Sequence, residues 1–232
     1  MPTEVTGERP GGLLPGTFLA MLSESERDAL VRLGGRFSFP GGSVLMFQHE
    51  PDIRVMLLLA GRVKVTQVDE EGRELLLSVR DPGDVLGELA FIDGQPRIAT
   101  VTALEPVEAI VVQGSAFRHH LETTPRIATV LLEIAARRFR ETTVKRAQFT
   151  GSDTLGRLAA RIVELADRYG EPSEGSVVVA SPLSHEDLAA WTGASRAGVA
   201  NALHALRELG WLETERGRLL VRDLDALRDR AA

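Results

Sequence analysis

The 232-residue chain contains no cysteine. That removes disulfide frameworks, thiolate zinc sites, cysteine-held iron-sulfur clusters and a cysteine nucleophile in one step. Lysine is almost missing as well: Lys64 and Lys145 are the only two, so arginine supplies nearly all of the 27 basic residues. Long apolar runs are also lacking. The most apolar stretch, Val55 to Ala60, falls far short of the roughly 20 residues a helix needs to cross a bilayer. The opening MPTEVTGERPGGLLPG mixes acids with prolines and glycines and lacks the basic-then-apolar form of a signal peptide, so residues 1–16 read as a flexible tail. A soluble, cytoplasmic protein with no membrane partner is expected. Nor does the chain offer an enzyme's equipment. No nucleophile-base set or metal-ligand cluster is visible, and His185-Glu186 lacks a second histidine at helical spacing, so neither catalysis nor a metal is expected.

A net charge of −6 is at first sight wrong for a nucleic-acid binder, whose affinity depends heavily on phosphate contacts. The distribution matters more than the sum. Residues 126–146 hold Arg126, Arg137, Arg138, Arg140, Lys145 and Arg146 against Glu133 and Glu141. Residues 184–222 are close to neutral, so any DNA contact there must come from placed side chains and not from a general basic field.

The apolar pattern divides the chain. Phe18, Met21, Leu22, Leu30 and Leu33 recur at helical spacing, with Ser23 and Glu26 forming a capping box, and predict one or two short helices. From Gly34 to about Val112, short β-rich runs alternate with glycine-containing turns. Arg62 to Val68 alternates polar with apolar, the period of a half-buried strand. This predicts a small antiparallel barrel or jelly roll over 17–124. Pro125 then opens a long helix over 125–149, since proline suits the first helical position. Ala128, Leu132, Ala135, Phe139, Thr142, Arg146 and Phe149 recur along it at alternating spacings of four and three, a seam of heptad type. It suits a homodimer interface; packing on the chain's own barrel is the blander alternative. TGSD at 150–153 interrupts the pattern and opens a C-terminal domain, 150–232, in which Leu155 to Tyr169 reads as a helix and 170–176 as a polar loop. The fold class is α+β.

Within that last domain two helix starts can be read directly. Ser184 caps with Asp187 and Ser195 caps the next helix, while Gly193 supplies the turn between them. Leu188, Val199, Leu203 and Leu206 should face the core, which leaves Arg196, Ala197, Ala200, Asn201 and His204 outward. A helix in the major groove reads base edges with such N-terminal residues, arginine for guanine and asparagine for adenine. A glycine turn between amphipathic helices is common in small helical proteins. Here, however, two strands, Trp211 to Glu215 and Arg218 to Arg222, follow at once around Arg216-Gly217 and complete a winged helix-turn-helix.

The sharpest local signal is GDVLGELAFIDGQPRIATV at 83–101. A cyclic nucleotide needs an arginine for its phosphate, a carboxylate for its ribose and close backbone N–H groups, which glycine permits. Glu88 and Arg97 stand nine residues apart across a turn. On residue types alone, a buried Glu-Arg ion pair closing that turn is an equal reading.

These residues resemble the cAMP receptor protein and fumarate-nitrate regulator (Crp-Fnr) family of bacterial transcription regulators. GELAFIDGQPRIATV looks like its phosphate-binding cassette and ARRFRETTVK at 136–145 like its dimerisation helix, and the likeness extends from about Phe18 to Val221. The resemblance implies a sequence-specific DNA-binding regulator, an activator or repressor, controlled by cAMP or a related cyclic nucleotide. Glu88 would accept the ribose 2'-hydroxyl and Arg97 would pair with the phosphate. Gly87, Leu89, Ala90, Ile98 and Ala99 would line the pocket, and Thr142 and Thr143 would meet the base from the two protomers' helices. Ser195, Arg196, Ala197 and Asn201 fall at DNA-contacting positions, with Ser184 at a phosphate contact. Partners implied are double-stranded DNA, a second copy of the chain through 125–149, and RNA polymerase as a further candidate. Two positions depart from the pattern. Ile98 stands where cAMP-responsive members usually carry a serine or threonine, and the missing hydrogen bond to a charged group is worth roughly 1.5 to 3 kcal/mol, tenfold or more in affinity. Ala197 and Asn201 replace a glutamate and an arginine of the best-known member, so a different operator is expected. A ligand-independent or differently liganded regulator with a degenerate pocket is the alternative. Haem sensors also occur in the family, but His49, His119 and His120 are scattered and read as surface residues.

Overall fold

The structure, a computed structural model, describes residues 3–4, 13–149, 153–180, 183–215 and 217–231. Most of the expected tail, residues 150–152 of the expected boundary, and Arg216 of the wing turn lie outside the described residues. By its internal contacts the chain divides into two compact units, Met1–Val68 with Leu77–Thr142, and Asp69–Leu76 with Thr143–Ala232.

The first unit begins with β1 (Thr3–Glu4), a 3-10 turn at Leu19–Met21 and α1 (Glu24–Val31). The Ser23–Glu26 capping box forms as its residue types require, the Ser23 N–H donating to the Glu26 carboxylate at 2.8 Å. Strands β2 (Gly35–Phe39), β3 (Val44–Met46), β4 (Val55–Ala60), β5 (Val63–Val68), β6 (Glu74–Arg80) and β7 (Val85–Leu86) follow. After a short helix α2 (Glu88–Asp93) come β8 (Thr100–Ala103), β9 (Val107–Val112), α3 (Gly114–Thr123) and α4 (Pro125–Phe149). The strands form two sheets, in the orders β1-β2-β9-β4-β7 and β3-β8-β5-β6, the double-sheet form of a jelly roll.

Strand β4 explains why its sequence, VMLLLA, is apolar without alternation. Met56 and Leu58 face the interior between the sheets, beside Phe39, Leu45, Met46, Val101 and Ala109. Val55, Leu57 and Leu59 face the opposite way, into a second core with Phe18, Leu30, Phe91, Phe117, Ile127 and Ile134. Both sides of the strand are buried, so both sets of alternate residues are apolar. The second core holds the helices on the barrel's outer face, where Phe91 of α2 meets Phe117 of α3 edge to face at 5.0 Å.

Along α4, Ile127, Val130, Leu131 and Ile134 are buried in that core, whereas Leu132 (67% exposed) and Phe139 (74% exposed) point away from it. One stripe packs on the chain's own barrel, and the heptad-type seam stays outside. The side chains of Arg146 and Phe149 at the seam's end are not among those described.

Besides the start of β6 through Leu76 and the end of α4 from Thr143, the second unit contains α5 (Thr154–Tyr169), β10 (Gly170–Ser173), β11 (Ser176–Ala180), α6 (His185–Thr192), α7 (Arg196–Glu208), β12 (Leu212–Glu215), β13 (Arg218–Val221) and α8 (Leu224–Ala231). Its sheet runs β10-β11-β13-β12. Residues 170–176, read from sequence as a polar loop, are instead the first strand, the turn and the opening residue of the second strand of a hairpin, with Glu171 opposite Val178 and Gly175 at φ +75° in the turn. The partner strand, SVVVA, supplies the apolar residues that GEPS lacks. Two further differences lie in the first unit: the turn expected between Glu88 and Arg97 begins with α2, and α3 has no counterpart among the helices expected from sequence.

Phe117 is fully buried where α3, α2 and α4 share one core. Phe117→Ala should cost about 3–5 kcal/mol, read as a lower urea midpoint at unchanged m-value. A loss under about 1 kcal/mol would mean that the helices are not held by this core.

Candidate ligand site and candidate nucleic-acid interface

The cassette is built around Gly87, which ends β7 and caps α2 at φ +78°. A Cβ there would lie 2.1 Å from Nη1 of Arg97 and 2.9 Å from the Arg54 carbonyl, so only glycine fits. Arg97 is 3% exposed. Its Nη1 donates to the Gly87 carbonyl at 2.8 Å and its Nη2 to the Arg54 carbonyl. Nη2 also lies 3.4 Å from the Asp52 carboxylate, and Nε–H has no acceptor among the described residues. Burial pushes the Arg97 pKa down, while Asp52 and Glu50 oppose that shift. The loop that carries Asp52 is tied to the cassette by two backbone bonds, His49 N–H to the Arg97 carbonyl at 2.7 Å and Arg97 N–H to the Glu50 carbonyl at 3.0 Å.

Glu88, also buried, does not meet Arg97; the ion pair considered from sequence does not form. Its partner is Arg138 of α4, whose Nη1 donates to Glu88 at 2.6 Å and to the Val85 carbonyl at 3.0 Å, while its Nη2 donates to Asp84 at 2.9 Å. Burial works against the Arg138 charge, but Glu88 and Asp84 outweigh it and hold its pKa above the ordinary guanidinium value. Half-buried Arg80 belongs to the same cluster; burial and the nearby Arg138 push it down to about 10 against the pull of Asp84, Glu88 and Glu141.

Sequence reasoning gave Arg80 and Arg138 no site role, and it named Arg138 only as part of the basic run on α4. Three of those arginines are engaged within the first unit: Arg126 with Glu26 of α1 and the Met21 carbonyl, Arg137 with the Gly16 carbonyl, and Arg138 as above. Their position in a basic, helical stretch gave no sign of which acids would take them.

Of the remaining pocket residues, Ala90 and Ala99 are buried, Leu89 is partly exposed and Ile98 is 51% exposed. Thr142 is exposed and donates back to the Arg138 carbonyl at 2.9 Å. Thr143, one residue on, is exposed as well.

In the second unit, Ser184 and Asp187 form a full capping box, so the Ser184 hydroxyl already donates to Asp187 at 2.7 Å. Gly193 ends α6 at φ +60°, and Ser195 accepts from the Gly198 N–H at 3.0 Å to start α7. Arg157 of α5 donates to the Thr192 carbonyl at 2.8 Å, capping the last turn of α6. Leu188, Val199, Leu203 and Leu206 are buried, as the pattern requires. Arg196, Ala197, Ala200, Asn201 and His204 are exposed on one side of α7. Arg196 pairs with Glu186 of α6 at 2.9 Å, both side chains being largely exposed. Among the described residues there is no cluster able to hold a metal ion, and no helix is long and apolar enough to cross a membrane.

Two family models match: a cyclic nucleotide-binding domain over residues 36–124 and a Crp-like helix-turn-helix domain over residues 156–230. The CRP-like cAMP-activated global transcriptional regulator of Mycobacterium tuberculosis is 34% identical over 83% of this chain and 86% of its own length. The cyclic AMP receptor protein of Thermus thermophilus is 26% identical over 90% of this chain and 93% of its own. A solved CRP/FNR-family transcriptional regulator, also from Thermus thermophilus, superposes with a TM-score of 0.70 at 27% identity, covering 84% of this chain and 97% of that one. A double-sheet barrel of the cyclic nucleotide-binding type, a long helix and a winged helix-turn-helix define a DNA-binding regulator. The chain belongs to the Crp-Fnr family of transcription regulators. The family acts on transcription and is not a family of enzymes.

Removing one partner from a buried charge cluster costs more than the cluster contributes, because the remaining charges lose their compensation. Arg138→Ala leaves Asp84 and Glu88 buried without it and should cost about 3–5 kcal/mol in urea unfolding at fixed protein concentration. Replacing Arg138, Asp84 and Glu88 together by apolar residues should recover much of that loss. A small effect of the single change would show that water reaches these carboxylates.

Proposed function

We propose that the protein is a cytoplasmic homodimer in which a cyclic nucleotide, cAMP or a close relative, binds the barrel and governs how α7 meets DNA. In this reading Arg97 pairs with the ligand's phosphate and Glu88 accepts its ribose 2'-hydroxyl. Gly87, Leu89, Ala90, Ile98 and Ala99 line the pocket, and Thr142 and Thr143 contact the base. The heptad-type seam through Leu132 and Phe139 joins the two copies, and its exposure supports that role.

The observation that carries the proposal is the shared carboxylate of Glu88. The group proposed to take the ribose is the one that holds Arg138 of α4. A hydroxyl donating to Glu88 would therefore alter the anchoring of the helix that carries the seam. A ligand shifts such an equilibrium only by binding its two states with different affinity, and competition for Glu88 supplies that difference. In the second unit, Arg196 and Asn201 are proposed to read bases from the N-terminal half of α7. Ser195 and Ala197 lie beside them, and Ser184 is proposed to contact a phosphate.

Exposed Ile98 favours a second reading, a regulator of the same fold with a different ligand or none, because the site lacks a hydroxyl there for the phosphate.

Calorimetric titration with cAMP, cGMP and cyclic di-GMP tests the first reading; saturable binding lost in Arg97→Gln is expected, and no binding by any of them overturns it. For the DNA half, Arg196→Ala should weaken binding to a selected operator by about 1–3 kcal/mol in a mobility-shift assay and relax preference at one base pair. Unchanged specific binding would show that α7 is not the recognition helix.

A further inference from the structure

Arg97 already has an anion beside it. The Asp52 carboxylate accepts from the Arg54 N–H at 2.9 Å and from Arg54 Nε at 2.7 Å, and it lies 3.4 Å from Arg97 Nη2. Burial pushes the Asp52 pKa up, but the Arg54 hydrogen bonds and the charges of Arg54 and Arg97 outweigh it and leave the pKa below the usual aspartate value. Asp52 is thus an anion anchored by Arg54 and placed beside the one guanidinium of the cassette. Meanwhile Arg97 keeps a buried Nε–H without an acceptor among the described residues. The guanidinium edge formed by Nε and Nη2 is the fork that a phosphate would use. At that edge Asp52 supplies negative charge without satisfying Nε–H.

We infer that Asp52 is the residue that sets the affinity and selectivity of this site, a built-in carboxylate standing where a ligand's phosphate would otherwise meet uncompensated charge. The inference rests on the reading of Arg97 as the phosphate-binding group. A phosphodiester that approaches Arg97 meets a cation already balanced, and it must either displace Asp52 toward Arg54 or bind against its repulsion. Because Asp52 keeps both Arg54 hydrogen bonds if it yields Nη2, displacement is feasible without exposing a bare carboxylate. Weakly held or singly contacting anions are excluded. A ligand that also engages Glu88, and so gains a second contact, is admitted. With Ile98 contributing no hydroxyl, this raises the threshold that a ligand must pass.

Asp52→Asn removes the charge but keeps an acceptor for the Arg54 N–H. It should bind cAMP about tenfold more tightly than the parent, the order expected for one unit charge a few ångströms away, partly screened. Asp52→Ser serves the same purpose if the amide variant does not fold. The gain should vanish in the Asp52→Asn/Arg97→Gln double variant, since the two residues act on one interaction. Unchanged or weaker binding by Asp52→Asn, or a gain that persists without Arg97, overturns the inference. If neither the parent nor the variants bind cAMP, cGMP or cyclic di-GMP, the cyclic-nucleotide reading falls, and a separate measurement decides the role of Asp52. In inorganic phosphate against chloride at matched ionic strength, Asp52→Asn should gain more in Tm than the parent does; an equal change in both overturns the inference.

Discussion

Arg138 is the interaction on which the rest of the first unit depends. Asp84 and Glu88 are buried at the two ends of β7, where isolated carboxylates would be costly, and one guanidinium from α4 answers both while also satisfying the Val85 carbonyl. The apolar stripe Ile127–Ile134 brings the helix to the barrel, but such packing tolerates small slides. A three-acceptor fork does not. The position of the long helix and the hydrogen bonding of the candidate ribose site are consequently set by the same atoms.

This arrangement also makes sense of the cassette's division into two charge groups. Arg97 is neutralised from the β3–β4 loop through Asp52, and Glu88 is neutralised from α4 through Arg138. The two residues that define the motif in sequence are each matched to something else in space. A ligand with a phosphate and a sugar hydroxyl would engage both groups at once and so link that loop to the long helix.

The fold was legible wherever one side chain's environment repeats along the sequence. The strand at β5, the capping boxes at Ser23 and Ser184, the glycine at 193 and the i, i+4, i+7 apolar positions of α7 all report local physics, and the structure contains each, although within β5 polar Thr66 is buried and Val68 is exposed, against the alternation read from sequence. What was not legible depends on partners distant in the chain. β10 has no strand pattern of its own and is held by register with Val177–Val179. α2 has six residues, too few for periodicity to be read. The partner of Glu88 lies 50 residues away and that of Arg97 lies 45 residues back, so spacing within the cassette suggested a pairing that space does not make.

Arginine also does something here that a count of charges conceals. Arg97, Arg126, Arg137, Arg138 and Arg157 each donate to at least one backbone carbonyl, and the first four pair with a carboxylate at the same time. A planar group with five N–H donors can clasp main chain and acid together, whereas an ammonium, being a compact point charge, has no such fork. The usual exchange of arginine for lysine, harmless on much of a protein surface, would at these positions undo the joinery between loop, helix and strand. The near-absence of lysine is there a requirement of the architecture.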